Sequence, residues 1–431
     1  MEPDVSLIQK HKTILRNVSL TLRLLIAVTL YFTTYLPQFD SSPEIILRSE
    51  PWRPVISTWA STLLRWDAFH FLHIAKEGYV YEYEWAFLPG APYISNLLSL
   101  PIDLLDMMLG KPHKPFRLEE LLVMGALASL SCDGVFLIYR LTGKLFDSPS
   151  FAMLTAILSL LSSSPATLRH AGYTEPFFAF WSYYGMVQCV DKQWLRASLG
   201  FAVAGAFRSN GVFLGGFLIW GMLVDPILLR QKAKLSIIIQ CAILSIIPST
   251  PFIYHQYCAY KSFCGTIFSP PWCNNFPPSN YSYVQSKYWN VGFLRYWTVS
   301  QIPNFIISTP VLVLLLYSST YHIYYSLLPR LRSRISPATT TPPSLHQKSI
   351  SPLLSPQITP HAIYALILTL MLLFAAHTQI ILRLAAAIPF TYWSAAHLWL
   401  EHPRCAKAWT AWSVVWGAVS LVLWGTFLPP A

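Results

Sequence analysis

The sequence predicts an all-α polytopic membrane protein, because its composition leaves too little polar surface for a soluble chain. Of its 431 residues, 54% are hydrophobic and 15% aromatic, whereas only 11% are charged. A soluble domain carries about 25% charged residues. These proportions exclude a soluble enzyme and, over most of the length, intrinsic disorder. Seven cysteines in a chain of this length also exclude a small disulfide-stabilised fold.

Apolar runs of about 20 residues, the length that a spanning helix needs, recur along the chain. The first run follows Lys10, Lys12 and Arg16 and lacks a small-residue cleavage site. We therefore interpret it as an uncleaved anchor with a cytosolic N-terminus. The fifth run is short enough to be tilted or partly unwound. The eleven predicted spans are 18–36, 121–139, 151–168, 176–190, 195–207, 211–229, 235–254, 305–327, 362–382, 384–400 and 408–428.

The segment 84–110 decides the predicted topology. It is nearly apolar enough for a twelfth span, but Pro89, Pro92 and Pro101 interrupt it. If it lies in the membrane interface as a bent amphipathic element, the basic clusters between spans face the cytosol, as the positive-inside rule prefers. The cytosolic segments then hold 16 Lys and Arg against five Asp and Glu, and so carry the whole net charge of +11. This charge indicates contact with anionic lipid rather than nucleic acid.

The predicted topology gives a single membrane domain, 1–431, with two long segments on the lumenal or extracellular side. These segments are 37–120, which contains the interfacial element, and 255–304. The segment 329–360 is basic and rich in Ser, Thr and Pro, which predicts a disordered cytosolic linker. Polar loops collected at one membrane face are where we expect a functional site.

The first polar cluster lies in the segment 37–120. Asp67 and His70 are three residues apart on a short predicted helix that ends at Gly78, so they share a face. One interpretation is a carboxylate base beside a polar partner. Another is that Asp67 only caps the helix N-terminus. A metal site of Asp67, His70 and His73 is a weaker alternative, since no other closely spaced ligands accompany them.

Two further polar clusters interrupt apolar runs at the same predicted face. Glu175 opens a helix, where it could simply stabilise the helix dipole or could point into a cleft beside Asp67. Arg208 lies in the polar break 208–211, and an arginine at membrane depth needs a partner or an anionic ligand. Glu175 is one candidate partner, and a phosphate is the other.

The fourth cluster combines an aromatic segment, 281–305, with a predicted helix end near Arg383. The Trp and Tyr side chains could form only an interfacial aromatic belt, and Arg383 could merely extend to the membrane surface. The amide and charged groups among them are harder to explain in this way. The side chains concerned are Gln285, Lys287, Tyr288, Trp289, Gln301, Asn304, Gln379 and Arg383.

Cysteines and short motifs restrict the function only a little further. Cys258, Cys264 and Cys273 share the segment 255–304 and could form one disulfide, with one cysteine left over. Residues 280–282 (Asn-Tyr-Ser) match a glycosylation acceptor. The sequence contains no phosphate-binding loop, dinucleotide fingerprint or zinc-protease helix motif. The energy for a reaction must therefore come from the substrate itself.

Several motifs, each weak alone, are specific when they are taken together. They are residues 65–71 with 78–79, 86–92, 164–166 with 172–175, 208–211, 271–273, 284–285 with 288–293, 301–305, and 379 with 383, 389 and 392–393. In these motifs, and over nearly the whole chain, the sequence resembles the PIG-V family (GPI mannosyltransferase 2) in its fungal form. Leu88 and Thr174 depart from the family pattern, where Phe and Ser are expected, and the segment 329–360 resembles nothing.

The resemblance implies a GT-C type glycosyltransferase with about 11 transmembrane helices in the endoplasmic reticulum membrane. The implied reaction adds the second mannose, α-1,6-linked, to the first mannose of the GPI precursor, with dolichyl-phosphate-mannose as donor. A β-linked donor and an α-linked product mean that the transfer inverts configuration. No metal or other cofactor is implied. The implied partners are the GPI-precursor glycolipid, membrane lipid and a small accessory membrane subunit, with no nucleic acid.

Inversion in one displacement needs one base, and we assign this role to Asp67. His70 and Glu175 would orient Asp67 or the sugar hydroxyls, while Arg208 and Arg383 are the first candidates to stabilise the leaving phosphate. The other candidate binding residues are Arg65, Trp66, Asn210, Gln285, Lys287, Tyr288, Trp289, Gln301, Asn304 and Gln379.

A lipid or sugar transporter and a non-catalytic transferase subunit are the alternative functions. Transporters often show internal repeats, and this chain has none that we detect. A non-catalytic subunit would be expected to lose the acidic loop residues, whereas this chain keeps Asp67 and Glu175.

Overall fold

The computed structural model describes residues 5–47, 54–110, 117–265, 269–335 and 351–429. Within these ranges every regular element is helical and no strand occurs, which confirms the predicted all-α class. The α-helices are α1 (Val5–Thr33), α2 (Ser42–Ile46), α3 (Pro54–Leu63), α4 (Asp67–Glu77), α5 (Gly90–Met108), α6 (Arg117–Ser131), α7 (Val135–Phe146), α8 (Pro149–Leu160), α9 (Pro165–Arg169), α10 (Thr174–Val190), α11 (Trp194–Gly205), α12 (Gly215–Ile219), α13 (Asp225–Leu228), α14 (Leu235–Ile246), α15 (Thr250–Phe263), α16 (Asn280–Trp289), α17 (Ile302–His322), α18 (Leu328–Ile335), α19 (Thr359–Phe374), α20 (Ile381–Leu384), α21 (Pro389–Glu401) and α22 (Pro403–Gly425). Shorter helical turns join them at Glu82–Ala86, Ser209–Leu214, Trp220–Val224, Ile247–Ser249, Pro271–Asn274, Val299–Gln301, Ile323–Leu327, Pro352–Leu354, Pro356–Ile358, Thr378–Ile380 and Ala385–Ala387.

Seven helical segments of the described chain are long and apolar enough to cross a membrane. This finding confirms a polytopic membrane protein, while the predicted number of eleven spans stays a prediction. The seven segments are Val5–Thr33, Arg117–Phe146, Ser209–Leu228, Leu235–Phe263, Val299–Arg334, Pro356–Phe374 and Pro403–Gly425.

The other four predicted spans coincide with shorter helices, α8, α10, α11 and α21. The predicted span 151–168 is divided into α8 and α9 at a serine-rich break, after which Pro165 opens α9. α10 buries side chains on nearly every side, among them Phe177, Phe178 and Tyr183. A helix that is apolar and buried all round lies at the centre of a bundle, so α10 is the helix around which the others pack.

The segment 84–110 forms one of the 3₁₀ turns, Glu82–Ala86, and then α5. α5 is amphipathic. Its Asn96 and Ser99 accept hydrogen bonds from Arg117 of α6, at 2.9 and 2.8 Å. Its opposite side exposes apolar residues that include Leu104 and Met108. A polar packed side and an apolar exposed side are typical of an interfacial helix, and they support the predicted interfacial position.

A second apolar core lies beneath α4 and fixes the position of that helix. Ala68 and Leu72 of α4 are buried in one cluster with Leu64, Leu121 of α6 and Trp424 of α22. The helix that begins at Asp67 is therefore held by elements from both ends of the sequence.

Glu82 joins the two long loop segments, 37–120 and 255–304, at the same end of the bundle as α4. Its carboxylate accepts hydrogen bonds from Trp272 Nε1 at 2.9 Å, from the Tyr288 hydroxyl at 3.1 Å and from Lys287 Nζ at 3.4 Å. Interactions with neighbouring Tyr283, Tyr288 and Glu82 raise the pKa of Lys287. Lys287 is therefore protonated, and its ammonium group contributes to the contact between the two loop segments.

The predicted second loop segment, 255–304, begins within a helix, because α15 continues to Phe263. Of its three cysteines, Cys264 and Cys273 form the disulfide and Cys258 is free. Asn280, the acceptor residue of the glycosylation motif, is fully buried, and its Nδ2 donates to the Glu82 carbonyl oxygen at 3.3 Å.

The predicted disordered linker, 329–360, is ordered at both of its described ends. α18 continues the preceding span to Ile335, and helical turns resume at Pro352. The second end is anchored because His322 contacts both the Leu353 carbonyl oxygen, at 2.5 Å, and the Thr359 hydroxyl, at 3.0 Å. The prediction of disorder is wrong for these ends, and residues 336–350 lie outside the described part of the chain.

Candidate active site

A cavity of about 280 Å³ opens where α4, α10, α16 and α20 meet. Three charged side chains line it, Asp67, Arg208 and Arg383, together with amides and aromatic rings. The complete lining is Asp67, Phe71, Ala86, Phe87, Leu88, Thr174, Phe207, Arg208, Ser209, Asn210, Tyr281, Gln285, Trp289, Val291, His377, Gln379, Ile380 and Arg383. The cavity thus collects residues from all four polar clusters of the sequence.

Asp67 is the first residue of α4, and the residue that caps the helix is Trp66. The interpretation of Asp67 as only a helix cap is therefore wrong. Trp66 has a φ of +49°, in the left-handed region that glycine prefers. Strained backbone of this kind clusters at functional sites. The Asp67 side chain is 35% exposed, and its Oδ2 accepts a hydrogen bond from Arg383 Nη2 at 3.0 Å.

Arg383 bridges the two carboxylates of the site. Its Nε donates to Glu175 Oε1 at 2.7 Å, while its Nη2 contacts both Asp67 Oδ2, at 3.0 Å, and Glu175 Oε1, at 2.6 Å. The side chain is only 14% exposed. The alternative that Arg383 extends to the membrane surface is therefore wrong, because its guanidinium is directed inward.

Glu175 is the buried member of the network and begins α10 together with Thr174. Its Oε1 also accepts a hydrogen bond from Arg208 Nη1 at 2.7 Å, so the predicted pairing with Arg208 is present. Two arginines and two carboxylates give the network a formal charge of zero. A buried charge is tolerated only when it is paired and hydrogen-bonded. In this network each charged group is hydrogen-bonded to at least one group of opposite charge.

Tyr173 supports both Asp67 and Arg383, although it is not among the predicted site residues. It is fully buried, and its hydroxyl donates to the Arg65 carbonyl oxygen at 2.6 Å, one residue before the strained Trp66. The Arg383 guanidinium lies 5.1 Å from the centre of the Tyr173 ring, as in a cation–π contact. Tyr173 is therefore a positioning residue for the carboxylate and for its cation.

The substitution Tyr173→Phe is expected to lower kcat about tenfold, with little change in KM. It removes only the hydroxyl, so Asp67 is held less precisely, and misplacement of a reacting group by about 1 Å can cost about 10²-fold. The measurement is steady-state transfer of mannose. Tyr139→Phe is the matched control, because that buried hydroxyl contacts His11 elsewhere in the bundle, at 3.0 Å. Equal kcat values for wild type and Tyr173→Phe would contradict the positioning role.

His70 lies behind the cavity wall and does not line the cavity. Its ring stacks on Phe87 with 4.6 Å between ring centres, and burial lowers the pKa of the His70 imidazole. The neutral ring therefore supports Phe87, a lining residue. The weak metal interpretation gains no support, because the described residues contain no group of three or more His, Cys, Asp or Glu that could hold an ion.

The structure brings about half of the predicted binding residues to the cavity. Arg208, Asn210, Gln285, Trp289, Gln379 and Arg383 line it. Gln301 and Asn304 reach it only indirectly. Asn304 Nδ2 donates to the Tyr296 hydroxyl at 2.8 Å, and this hydroxyl in turn donates to Gln379.

Four predicted binding residues have other contacts and do not line the cavity. Lys287 and Tyr288 hold Glu82, as described above, and Trp66 packs on Phe427 with 5.1 Å between ring centres. Arg65 is only 2% exposed, and it donates to the carbonyl oxygens of Trp424 and Gly425 at 3.1 Å each. Arg65 is thus a structural residue.

Tyr281 and His377 are among the lining residues that sequence reasoning did not assign to the site. The Tyr281 hydroxyl contacts Ser209 Oγ at 2.8 Å, and His377 Nε2 contacts the Trp289 carbonyl oxygen at 2.7 Å. These contacts tie α16 to two distant parts of the chain. A signal existed for His377, which lies two residues before Gln379, but none distinguished Tyr281 from the many other aromatic residues around it.

Comparisons with known proteins show which family the chain resembles. The family described as Mannosyltransferase (PIG-V) matches residues 9–431. GPI mannosyltransferase 2 of Cryptococcus neoformans var. neoformans serotype D is 31% identical over 430 residues, covering 92% of this chain and 93% of the relative. GPI mannosyltransferase 2 of Schizosaccharomyces pombe is 30% identical over 92% of this chain and 80% of its own.

A mammalian relative has a similar identity over a smaller share of the chain. GPI alpha-1,6-mannosyltransferase 2 of Homo sapiens is 31% identical over 78% of this chain and 73% of the relative. No solved structure matches the chain. Because the family matches from residue 9 to residue 431 and fungal relatives align over 92% of the chain, the protein belongs to the PIG-V family of mannosyltransferases.

Proposed function

We propose that the protein transfers a mannose, in α-1,6 linkage, from dolichyl-phosphate-mannose to the first mannose of a GPI precursor, at the lumenal face of the endoplasmic reticulum membrane. Family membership and the names of the relatives support this reaction class. The observation that carries the proposal is how the two carboxylate oxygens of Asp67 are bonded. One of its oxygens is held by Arg383, while the other has no partner among the described residues and belongs to a cavity-lining side chain.

In the proposed step, Asp67 Oδ1 takes the proton of the acceptor's 6-hydroxyl as that oxygen bonds to C1 of the donor mannose. The bond between C1 and the phosphate oxygen breaks at the same time, and dolichyl phosphate leaves with the electron pair. Attack opposite the leaving group converts the β-linked donor into an α-linked product. The transition state has oxocarbenium character, by analogy with glycoside hydrolysis.

Arg208 is the better placed of the two arginines to receive the leaving phosphate. Arg383 already holds two carboxylates, whereas Arg208 uses only Nη1, for Glu175 and for Thr174 Oγ1 at 3.3 Å. Its Nε and Nη2 have no partner among the described residues, and the side chain is 18% exposed. These donors would stabilise the charge that develops on the phosphate. With arginine in this position, the proposed reaction needs no resident metal.

Aromatic rings and amides form the remaining walls of the cavity. Phe87 and Trp289 contact each other edge to face, with 5.7 Å between ring centres, and offer apolar faces to a sugar ring. Gln285, Asn210 and Gln379 supply the hydrogen-bonding groups that fix an orientation. We assign these residues to the sugars, without dividing them between donor and acceptor.

The direct test is a transfer assay with membranes from cells that lack the endogenous activity and express this protein. The membranes are retained because the resemblance implies an accessory membrane subunit. Dolichyl-phosphate-mannose and a one-mannose GPI precursor are supplied with EDTA present, and a two-mannose product is expected. GDP-mannose is the control donor, with its conversion to the lipid donor blocked. Product from GDP-mannose, or no product from the folded protein, would contradict the proposal.

The lumenal orientation can be tested through glycosylation of the segment 255–304. Asn280 is buried and hydrogen-bonded, so we expect wild-type protein to carry no glycan there. Phe276 is fully exposed and follows Asn274 by two residues, and Phe276→Ser completes an acceptor motif at that exposed asparagine. An endoglycosidase-sensitive mobility shift is expected for this variant alone. A glycan on the wild-type protein, or none on the variant, would contradict the burial or the orientation respectively.

A further inference from the structure

Three charged side chains that do not belong to the catalytic network meet inside the helix bundle. Arg23 belongs to α1, Asp133 lies in the break between α6 and α7, and Arg169 ends α9. Arg23 Nη2 lies 3.0 Å from Asp133 Oδ2, and Arg169 Nη1 lies 3.9 Å from Asp133 Oδ1. Two guanidinium groups and one carboxylate leave a formal charge of +1. Ionisable groups inside a membrane protein usually serve a function.

Both oxygens of the Asp133 carboxylate also accept hydrogen bonds from groups other than the two arginines. Asp133 Oδ2 also accepts a hydrogen bond from Ser19 Oγ at 2.5 Å, and Oδ1 accepts one from the Val135 amide, at the start of α7, at 3.1 Å. The single acidic group is thus shared among four donors.

A small cavity of about 40 Å³ lies against this cluster. Among the described residues its lining contains no charged side chain besides Arg23, Asp133 and Arg169. Nε of Arg23 and Nε of Arg169 are buried without a hydrogen-bond partner, and Arg169 as a whole is only 8% exposed. The hydroxyl of Tyr392, another lining residue, has no hydrogen-bond partner in the described chain either. The lining therefore combines unpartnered donors with a formal excess of one positive charge over the Asp133 carboxylate.

We propose that this cavity binds a monatomic anion, chloride, between Arg23, Arg169 and Tyr392. A cavity of this size exceeds what one water requires, but it is too small for a phosphate group and its oxygens. A water molecule would accept hydrogen bonds from these donors but would leave the charge of +1 uncompensated. An anion would accept the same hydrogen bonds and also neutralise the charge. Buried charges need such compensation.

The bound anion would stabilise the packing of helices next to the catalytic network without taking part in the reaction. Pro176, which follows Glu175, and Ala386, one turn beyond Arg383, also line the cavity. The anion would therefore connect α1, α9, α10 and α21 close to the segments that carry Glu175 and Arg383. The inference goes beyond the proposed function and does not depend on it.

The test is thermal unfolding of the purified full-length protein in sodium chloride or in sodium gluconate at equal concentration. Chloride is expected to raise the unfolding midpoint saturably, by at least about 2 °C, because it binds the folded state alone. Tyr392→Phe removes one donor with minimal disturbance and is expected to weaken this chloride-dependent shift severalfold. Arg169→Gln is expected to abolish it, and Tyr139→Phe, at a hydroxyl outside this cavity, is expected to retain it.

Two results would overturn the inference. The first is an equal midpoint in chloride and gluconate, which would mean that the cavity holds water only. The second is a chloride shift of equal size in wild type and Tyr392→Phe, which would reveal a general salt effect. If Arg169→Gln does not fold, the comparison of wild type with Tyr392→Phe still decides between these outcomes.

Discussion

Asp67→Asn is expected to lower mannosyl transfer by at least about 10²-fold while leaving the protein folded. The amide has the size and shape of the carboxylate and can still accept a hydrogen bond from Arg383, but it cannot take a proton. General-base catalysis contributes about 10²- to 10⁴-fold. The measurement is the initial rate of two-mannose product formation at saturating donor and acceptor, normalised to the amount of folded protein.

Glu77→Gln is the matched control for this substitution. Glu77 lies at the other end of the same helix, α4, and pairs with Lys76 at 2.9 Å, with about half of each side chain exposed. Exposed pairs contribute little, so this variant should retain wild-type rates. If Asp67→Asn were as active as Glu77→Gln, Asp67 would lose its assignment as the base.

Arg383→Gln is expected to impair both activity and stability. It removes the cation that holds Asp67. It also leaves Glu175, whose side chain is only 3% exposed, with Arg208 as its remaining charged partner in the network. Breaking a buried ion pair costs about 3–5 kcal/mol, and transfer should fall by at least about 10²-fold because the base is no longer held. Activity and the unfolding midpoint in detergent are the two measurements.

The double variant Arg383→Gln/Glu175→Gln separates these two effects. Replacing both members removes the uncompensated buried charge, so we expect the midpoint to recover in part while activity stays low. Arg140→Gln is the control at an exposed pair, 3.4 Å from Asp191, and should change neither quantity. A stable and active Arg383→Gln variant would show that the network is not needed.

The polar residues that form the catalytic network could be predicted from the sequence because they are rare in an apolar chain. Asp67, Glu175, Arg208 and Arg383 stand out for this reason, and the Arg208–Glu175 pair is present at 2.7 Å. The sequence could not tell that Arg383 joins both carboxylates. That contact depends on how α20 packs against α4 and α10, which lie more than 200 residues away in sequence.

The direction of a side chain was the hardest property to predict. Arg65 and Asp67 lie two residues apart in the same motif, yet one is buried against backbone carbonyls and the other lines the cavity. The backbone at Trp66, with its φ of +49°, separates their directions. No periodicity rule predicts a left-handed tryptophan, so the sequence does not reveal that Arg65 and Asp67 point in different directions.

Helix lengths were overestimated where an apolar run contained a polar break. The predicted span 151–168 extends past the end of α8, and 362–382 extends past the end of α19, because a few polar residues after each helix interrupt a run that is apolar on average. Hydropathy measures whether a segment avoids water, and it does not report where the helix stops.

The contacts of Arg65 also bear on the order in which the protein is made. Its Nε bonds the carbonyl oxygen of Trp424, 359 residues later in the chain, and Trp424 Nε1 donates in return to the Thr62 carbonyl oxygen at 2.9 Å. During synthesis the segment that presents Asp67 is therefore exposed long before its final support is translated. Until then Arg65 has the acceptors of its own segment, the carbonyl oxygens of Ser61 and Leu64, but lacks those of Trp424 and Gly425. A chain that ends between residues 383 and 424 would contain every side chain of the catalytic network but would lack this support for the segment that presents Asp67.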